Sequence, residues 1–359
     1  MRVPLRRNRS GVPRTKNWTG RLQTGEEIEV AHRENVVAKG ALSRQRTIIV
    51  RDDGAPAEGL RRGTVLAMRG LYVDVDSGDR TWSCTIRRML RTRLIKNRHP
   101  VTVGDRVHFS VREKSGGVTA EGVIEAVDPQ VGVLQRRSGR RIHTIVANVD
   151  QVIIVTSAAQ PRLKPFLIDR YIVSALAGNI TPIICLNKID LDESAVTILE
   201  RWLNLGYVGL ATSAVTGRGI DELRAILKGK ESGIAGQSGV GKSSLLNVVQ
   251  PGLALRTADV SRQAGKGRHT TTTAQLIRLD IGGYVVDTPG IRSFDLSIIG
   301  KHELEAYFIE FVDRLAGCKY PDCSHTHELE CAIKSAVDNG EIDPDRYRSY
   351  VTLFDEATF

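Results

Sequence analysis

The sequence predicts a multidomain chain in which an all-β barrel is followed by an α/β domain and then by a small α-helical module that binds a metal. Short apolar runs separated by turn residues fill residues 61–127, which is the pattern of an all-β domain. Strand and helix patterns alternate over residues 149–290, as in a doubly wound sheet. Three of the five cysteines are crowded between residues 318 and 331, which indicates a metal site rather than disulfides.

Composition sets the broad class of the protein. The chain has 359 residues, of which 41% are hydrophobic, so it is long enough for two or three domains with real cores. It contains no run near the ~18 uninterrupted apolar residues that a membrane span needs, and its start lacks the apolar core of a secretory signal. We therefore expect a cytoplasmic protein that is monomeric and has no membrane partner.

Charge is unevenly distributed along the chain. Residues 1–142 contain 29 Lys and Arg against 15 Asp and Glu, a formal +14, whereas residues 143–359 contain 22 against 26, a formal −4. Such a split predicts that the amino-terminal part contacts a polyanion, and RNA and DNA are the obvious candidates. The alternative is a basic surface that is merely solvated.

Residues 1–58 are predicted to be a basic arm and linker. Residues 1–25 contain seven basic residues, no acidic residue and little apolar periodicity, a composition typical of disorder. An organellar transit peptide has a similar composition, but no convincing amphipathic helix is evident. The other predicted divisions are a barrel over 59–142, an α/β domain over 143–298 and a metal module over 299–359.

Five short strands in the barrel domain predict a Greek-key barrel of the OB type, a frequent platform for oligonucleotides. They are Gly63–Met68, Leu71–Val75, Trp82–Ile86, Arg106–Arg112 and Val118–Val127. The loop between the third and fourth strands carries six cations that could follow phosphates: Arg87, Arg88, Arg91, Arg93, Lys96 and Arg98. The alternative is a charged loop that only keeps the domain soluble.

The α/β domain is predicted from strands and helices that alternate. The strands are Val152–Thr156, Pro182–Leu186, Val208–Thr212, and a hairpin pair at Gln275–Asp280 and Tyr284–Val286. The helices are Phe166–Ala177, Glu193–Leu205, Ile220–Leu227, and one that ends at Val249. Parallel strands with crossover helices place their loops at the carboxyl edge of the sheet, where nucleotides bind.

A phosphate-binding loop precedes the last of these helices. The stretch G-Q-S-G-V-G-K-S-S fits G-x-x-x-x-G-K-[ST] at every fixed position, and its glycines let backbone N–H groups turn toward an anion. Lys242 would reach the β- and γ-phosphates, and Ser243 would offer its hydroxyl to Mg²⁺. The predicted nucleotide contacts in this loop are Gly236, Gln237, Ser238, Gly239, Val240, Gly241, Lys242, Ser243 and Ser244.

Two further motifs indicate that the base is guanine. Asn187, Lys188 and Asp190 belong to N-K-I-D at a strand end, where the Asp carboxylate can accept both N1–H and the 2-amino group of guanine. Adenine lacks that pair of donors, so the site would prefer guanine. Ser213 and Ala214, after the next strand, can supply a backbone N–H to the guanine O6.

The D-T-P-G motif completes the nucleotide site. Asp287 can hold the Mg²⁺ shell, and the Gly290 amide can contact the γ-phosphate. In ordinary small GTPases the phosphate loop and D-x-x-G precede N-K-x-D and S-A, whereas here N-K-I-D and S-A come first. The order predicts a circular permutation of the same sheet. Such a permutation needs little structural change, because the termini of a domain usually lie close together.

The cysteine cluster has the donors of a zinc site. Cys318, Cys323, His325 and Cys331 form C-x4-C-x-H-x5-C, three sulfurs and one nitrogen suited to tetrahedral zinc. His327 is a competing nitrogen ligand, and free thiols without metal are the alternative. Four protein ligands leave no open position, so the metal would be structural.

Across about residues 60–355 the chain resembles the ribosome small-subunit-dependent GTPase A family. The matching stretches are P-V-T-V-G-D-R-V, N-K-I-D-L, G-Q-S-G-V-G-K-S-S-L-L-N, G-R-H-T-T-T, D-T-P-G and the Cys/His cluster. The resemblance implies an OB-type barrel, a permuted GTPase domain and a zinc module, with GTP, GDP, Mg²⁺ and one structural zinc. It also implies GTP hydrolysis stimulated by the small ribosomal subunit and its rRNA, during late maturation of that subunit, and it favours His325 over His327.

The catalytic group is not the usual one. Ras-like enzymes position water with a Gln just after D-x-x-G, but Ile291 stands there in this chain. His269 is the best substitute, and the family resemblance implies the same residue; a surface histidine is the alternative. Thr271 is our choice for the Mg²⁺-binding threonine, although spacing alone leaves Thr270 and Thr272 open.

Two rival functions remain open at this point. One is an RNA-binding assembly factor whose nucleotide site is a switch with negligible turnover. The other is an ATPase or kinase with the same phosphate loop, which N-K-I-D disfavours.

Overall fold

The computed structural model describes residues 59–87, 101–112, 121–138, 141–253, 274–287 and 299–357. The predicted arm and linker at 1–58 lie outside these ranges, as do most of the cationic loop, the segment 254–273 and the segment 288–298. Within the described ranges, no helix has both the length and the apolar character that a bilayer crossing requires.

The first domain is a closed five-stranded barrel, which confirms the predicted OB-type architecture. Its strands are β1 (Arg61–Arg69), β2 (Tyr72–Asp76), β3 (Thr81–Ile86), β4 (Arg106–Arg112) and β5 (Glu121–Val127). They close in the order β1-β2-β3-β5-β4, with β4 paired back to β1. Alternate side chains point inward because strands have a period of two, and they form an apolar core of Val65, Val73, Val75, Trp82, Cys84, Val107, Phe109 and Ile124.

A two-stranded hairpin follows the barrel and was not predicted. It consists of β6 (Leu134–Ser138) and β7 (Arg141–Val146), which pair only with each other as a sheet. A bridge between Val103 and Val146 connects it to the barrel domain. The proposed division between residues 142 and 143 falls within β7.

The α/β domain has a six-stranded sheet in the order β10-β9-β8-β11-β13-β12. Neighbouring strands are parallel except for β12 and β13, which are antiparallel. All seven residues of β8 are buried, as expected for a central strand covered on both faces. The strands are β8 (Gln151–Ser157), β9 (Thr181–Asn187), β10 (Val208–Ala211), β11 (Glu231–Ala235), β12 (Gln275–Arg278) and β13 (Tyr284–Asp287).

Helices cover this sheet, with one correction to the prediction. They are α1 (Pro165–Ala177), α2 (Glu200–Leu203), α3 (Ile220–Leu227) and α4 (Lys242–Val249). The helix predicted over Glu193–Leu205 begins instead as a 3₁₀ helix, Glu193–Leu199, which continues into the short α2. The Thr197 hydroxyl donates to the Ser194 carbonyl oxygen at 2.9 Å, and three consecutive β-branched residues, 196–198, disfavour an α-helix.

The carboxyl-terminal module packs on α1. Its 3₁₀ helices are Lys301–Tyr307 and Leu315–Gly317, and its α-helices are α5 (Ile309–Val312), α6 (Ala332–Asp338) and α7 (Pro344–Glu356). The helical pattern over Glu303–Leu315 is therefore divided into 3₁₀ and α segments. Phe308, Phe311 and Tyr350 stack in one buried cluster that also contains Val173 of α1.

Candidate functional site

The phosphate loop lies at the carboxyl end of a central strand of the sheet. β11 ends at Ala235, the loop turns through Gly236 with φ of +138°, and α4 starts at Lys242. A Cβ at Gly236 would lie 2.1 Å from the Val155 carbonyl oxygen, and one at Gly241 would lie 2.3 Å from Asn187 Nδ2. Glycine is therefore required at both positions, because the loop backbone passes directly over neighbouring strand ends.

Lys242 stays close to the loop that it follows. Its Nζ donates to the carbonyl oxygens of Gly236 at 2.8 Å and Gln237 at 2.6 Å. The ammonium group therefore lies against the backbone of the first two residues of the loop. Ser243 is the next residue of α4 and is half-buried, while Ser238 and Ser244 are exposed.

The N-K-I-D motif contacts the phosphate loop directly. Asn187 is buried, and its Nδ2 donates a 2.9 Å hydrogen bond to the Val240 carbonyl oxygen. Lys188 Nζ donates to the Gly239 carbonyl oxygen at 2.7 Å and also to Gln160 O. Two loops that are remote in sequence are thereby held side by side.

Asp190 and Ser213, two residues predicted to bind the base from different loops, contact each other. The Ser213 hydroxyl donates to Asp190 Oδ1 at 2.5 Å and accepts the backbone N–H of Thr216 at 3.1 Å. The Ser213 N–H itself donates to Arg218 O, so the neighbouring Ala214 is the better source of an N–H for a base. Asp190 is exposed, which leaves its carboxylate accessible to a ligand.

The remaining predicted nucleotide residues are only partly within the described ranges. Asp287 is the last residue of β13, the strand beside β11, and its backbone pairs with Gln275. Gly290, Thr271 and His269 lie outside the described residues.

The cysteine cluster is assembled as a four-donor site. One donor atom from each of Cys318, Cys323, His325 and Cys331 lies within 4.8 Å of every other. His325 Nδ1 is 3.5 Å from Cys318 Sγ and 3.4 Å from Cys331 Sγ. Tetrahedral bond lengths to zinc would place a nitrogen and a sulfur about 3.6 Å apart, so the donor set fits a zinc ion.

His325 is oriented by a carboxylate and His327 points elsewhere. The other ring nitrogen of His325, Nε2, lies 2.8 Å from Glu305 Oε2, the outer contact that metal-binding histidines commonly make. The His327 side chain is 81% exposed and faces Glu328. Burial raises the pKa of the Cys323 thiol to about 12, so a cation would be needed to hold this group as a thiolate.

A buried ionic network attaches the cysteine module to the α/β domain. Arg346 of α7 is 1% exposed and donates to Asp169 Oδ1 of α1 at 2.7 Å and to Glu310 Oε1 at 2.7 Å. Trp202 Nε1 donates to the same Asp169 oxygen at 2.8 Å. No sequence pattern indicates this network, because its members are charged and aromatic residues that lie far apart along the chain.

The comparisons with known proteins agree with this arrangement. A family model described as RsgA GTPase matches residues 127–297. The small ribosomal subunit biogenesis GTPase RsgA of Thermotoga petrophila is 43% identical over 303 residues, covering 82% of this chain and 96% of that protein. The protein of the same name from Christiangramia forsetii is 35% identical over 303 residues, with the same coverage of 82% and 96%.

Solved structures give the same result. The crystal structure of YjeQ from Thermotoga maritima aligns with a TM-score of 0.68 and 39% identity, covering 83% of this chain and 98% of that one. YloQ, described as a circularly permuted GTPase, aligns with a TM-score of 0.65 and 30% identity, covering 86% and 97%. The alignments cover nearly the whole length of these relatives. The order of motifs in this chain is the one predicted for a circularly permuted GTPase. The chain therefore belongs to the RsgA GTPase family and is a circularly permuted GTP hydrolase.

Proposed function

We propose that this chain binds the small ribosomal subunit and its rRNA, and hydrolyses GTP to GDP and phosphate during late maturation of that subunit, with the subunit stimulating hydrolysis. The observation that carries the nucleotide part is the direct contact of N-K-I-D with the phosphate loop, through Asn187 to Val240 and Lys188 to Gly239. The relatives' printed name, small ribosomal subunit biogenesis GTPase, supports the cellular part.

The nucleotide would be held from two sides. The loop from Gly236 to Ser244 would surround the phosphates with backbone N–H groups, and Lys242 would exchange its carbonyl partners for the β- and γ-phosphates. Asp190 would bind N1–H and the 2-amino group of guanine, with its free oxygen directed to the base while Ser213 holds the other. The Ala214 N–H would donate to O6, and Lys188 would pack its stem along the base.

Magnesium and the attacking water would be arranged by Ser243 of the phosphate loop and by residues that follow the loop. Ser243 and Thr271 would bind Mg²⁺, Asp287 would hold its shell, and the Gly290 amide would contact the γ-phosphate. Mg²⁺ neutralises charge that develops on the phosphate oxygens. His269 would orient the attacking water, since Ile291 stands where Ras-like enzymes have glutamine. An enzyme with this set is expected to be slow until a partner orders these segments.

Zinc would have a structural role in the carboxyl-terminal module. Cys318, Cys323, His325 and Cys331 would occupy all four positions of a tetrahedral ion, and Glu305 would fix the His325 ring. Metal binding would contribute directly to the folding of this small module, in addition to its buried aromatic cluster.

The partner surface would be the basic part of the chain. The formal +14 of residues 1–142 favours contact with the phosphates of rRNA. Arg87 is the described member of the cationic loop, and it pairs with Glu125 on the barrel surface. We expect a monomer that acts in the cytoplasm, where ribosomal subunits mature.

The decisive experiment compares GTP hydrolysis by the full chain with and without purified small subunits. We expect subunits to raise the turnover rate by at least about tenfold, as for GTPases whose catalytic set is completed by a partner. No stimulation together with retained subunit binding would support the rival function, an RNA-binding assembly factor with a non-catalytic nucleotide switch. Competition of labelled GTP by ATP in the same preparation tests the base preference and would expose an ATPase or kinase.

A further inference from the structure

The barrel and the α/β sheet share a buried carboxylate. Asp76 is the last residue of β2, and its side chain is 3% exposed. Its Oδ2 accepts hydrogen bonds from the Tyr284 hydroxyl at 2.9 Å and from Arg278 Nη1 at 3.3 Å. Its Oδ1 accepts the Gly78 N–H at 2.8 Å, which fixes the carboxylate on the barrel side.

Both α/β partners of Asp76 belong to one hairpin. Arg278 of β12 and Tyr284 of β13 are directly opposite each other, next to the turn at residues 279–283. Arg278 Nη1 also donates to the Gly78 carbonyl oxygen at 2.9 Å, so three hydrogen bonds join the end of β2 and its turn to the hairpin. Barrel strand β1 lies against β12 as well.

The open end of this hairpin leads to G-R-H-T-T-T and D-T-P-G, which we call the switch motifs because they are expected to contact Mg²⁺ and the γ-phosphate. G-R-H-T-T-T ends at Thr272, two residues before the described segment 274–287, and D-T-P-G begins at Asp287. Asp287 is three residues beyond Tyr284, a distance of about 10 Å along a strand. The barrel therefore holds the turn of a hairpin whose other end continues into the two motifs.

A second barrel contact lies at the same edge of the sheet. Arg106 of β4 is 3.7 Å from Glu231, the first residue of β11, and β11 leads to the phosphate loop. The barrel therefore contacts the strand that leads to the phosphate loop through Arg106, and the hairpin that leads to the switch motifs through Asp76. A small movement of the barrel against the sheet would be transmitted along packed strands, since such interfaces have discrete arrangements rather than continuous deformation.

We propose that Asp76 is a positioning residue that couples engagement of the barrel by the small subunit to the two switch motifs, through the β12–β13 hairpin. The proposal rests on the proposed function, because the input is subunit binding and the output is stimulated hydrolysis. Asp76 does not contact the nucleotide site, so it acts on the stimulated rate and not on GTP affinity.

The test compares Asp76→Ala and Asp76→Asn with the control Asp74→Asn. Asp74 lies on the same strand and its partner, Arg69, belongs to the barrel itself, so the control removes the same charge without touching the hairpin. We expect both Asp76 variants to lose at least about tenfold in subunit-stimulated kcat, with intrinsic kcat, KM for GTP and subunit affinity within about twofold of wild type. The control keeps full stimulation.

Tyr284→Phe supplies a milder variant that removes one hydroxyl and keeps the ring packed. It should lose part of the stimulation, and Asp76→Ala combined with Tyr284→Phe should be no worse than Asp76→Ala alone, because both act through one contact. Full stimulation in Asp76→Ala, or additive losses in the double variant, would overturn the proposal.

A measurement without subunits separates this proposal from the proposed function. Hydrogen exchange at the amides of residues 275–287 should be faster in Asp76→Ala than in wild type, and unchanged in Asp74→Asn. If wild type shows no stimulation, the proposed function fails, and unchanged exchange in Asp76→Ala would then overturn the role of Asp76 independently. Zinc content and thermal unfolding confirm that each variant is folded.

Discussion

The side-chain amide of Asn187 donates a 2.9 Å hydrogen bond to the main-chain carbonyl oxygen of Val240, 53 residues further along the chain. Asn187 is 1% exposed, and its Oδ1 accepts a hydrogen bond from the Thr212 hydroxyl at 3.3 Å. The base motif and the phosphate loop are therefore joined directly, although neither motif requires the other by its sequence pattern.

Asn187→Ala should weaken GTP and GDP binding equally, by about 10- to 100-fold. The substitution leaves the Val240 carbonyl oxygen without its partner, a loss of roughly 1–3 kcal/mol, and it acts on a part of the loop common to both nucleotides. Titration with fluorescent GTP and GDP analogues measures the two affinities. Asn204→Ala, at an exposed helix end, is the control, and unchanged affinities in Asn187→Ala would show that the contact is not needed for binding.

Asp190→Asn should exchange guanine preference for xanthine preference. The amide oxygen can keep the Ser213 hydrogen bond, while the amide nitrogen presents a donor where guanine also presents one. Competition of labelled GTP by unlabelled GTP and XTP measures the change. Asp192→Asn removes a nearby exposed carboxylate and should behave as wild type; retained guanine preference in Asp190→Asn would refute the base-site assignment.

His325→Ala should lose zinc, whereas His327→Ala should retain one ion per chain. The structure directs His325 Nδ1 to the sulfurs and leaves the His327 ring exposed. Glu305→Gln should keep the ion but bind it about tenfold more weakly, since outer contacts tune ligand basicity. Metal analysis and competition with a chromophoric chelator measure both effects, and a full zinc complement in His325→Ala would exclude this ligand set.

Arg346→Ala should destabilise the chain by about 3–5 kcal/mol, because it leaves two buried carboxylates, Asp169 and Glu310, without their cation. Arg348, two residues away on the same helix, has a side chain that is 74% exposed. Arg348→Ala should therefore change stability by less than about 0.5 kcal/mol. Urea unfolding measures both, and equal midpoints for the two variants would contradict the role of the buried network.

Glu231 should make stability fall as pH rises from about 4.5 to about 7. Burial raises the pKa of this carboxyl from 4.5 to about 7, so the folded state binds more protons than the unfolded state in that interval. The stability contributed by the protonated carboxyl is fully present below the pKa of the unfolded state. It is lost as the pH rises through the pKa of the folded state. Glu231→Gln should thus be more stable than wild type at pH 8, by up to about 3 kcal/mol, and similar to it near pH 4.5.

Thermal unfolding at several pH values checks this prediction. Asp150→Asn is a poorer test than Glu231→Gln. Asp150 Oδ2 accepts the Glu231 N–H at 2.8 Å, so this substitution also changes a backbone contact. If the difference in stability between wild type and Glu231→Gln is the same at pH 5 and pH 8, the raised pKa of Glu231 is contradicted.

The architecture could be predicted from the sequence because strong local patterns coincide with the observed elements. The five barrel strands, the all-buried β8 and the helix at Pro165–Ala177 each have a clear period and clear turn residues at their ends. The prediction of an α-helix from Glu193 is wrong because the apolar spacing there fits either helix type, while β-branched residues and the Thr197 hydroxyl favour the 3₁₀ form. Spacing alone does not separate those two helices.

The contacts that make the site one unit could not be predicted from the sequence. The Asn187 to Val240 hydrogen bond, the Arg346 network and the Asp76 link each join residues that are distant along the chain. The hairpin β6–β7 was missed for a different reason: its Arg-rich strands lack the apolar alternation that predicts a strand. Long-range polar pairing depends on packing that local periodicity does not report.

The permuted motif order also sets the order in which the sheet can form during synthesis. β8, β9 and β10 leave the ribosome before β11, yet β11 is the neighbour of β8 in the finished sheet. At about 5–20 residues per second, the interval between the end of β8 and the start of β11 lasts roughly 4–15 s. During that time one edge of β8, whose residues are all buried in the finished sheet, has no partner, and such edges pair with other chains. Until β11 and the phosphate loop that follows it have been synthesised, that edge of β8 remains open to pairing with other chains.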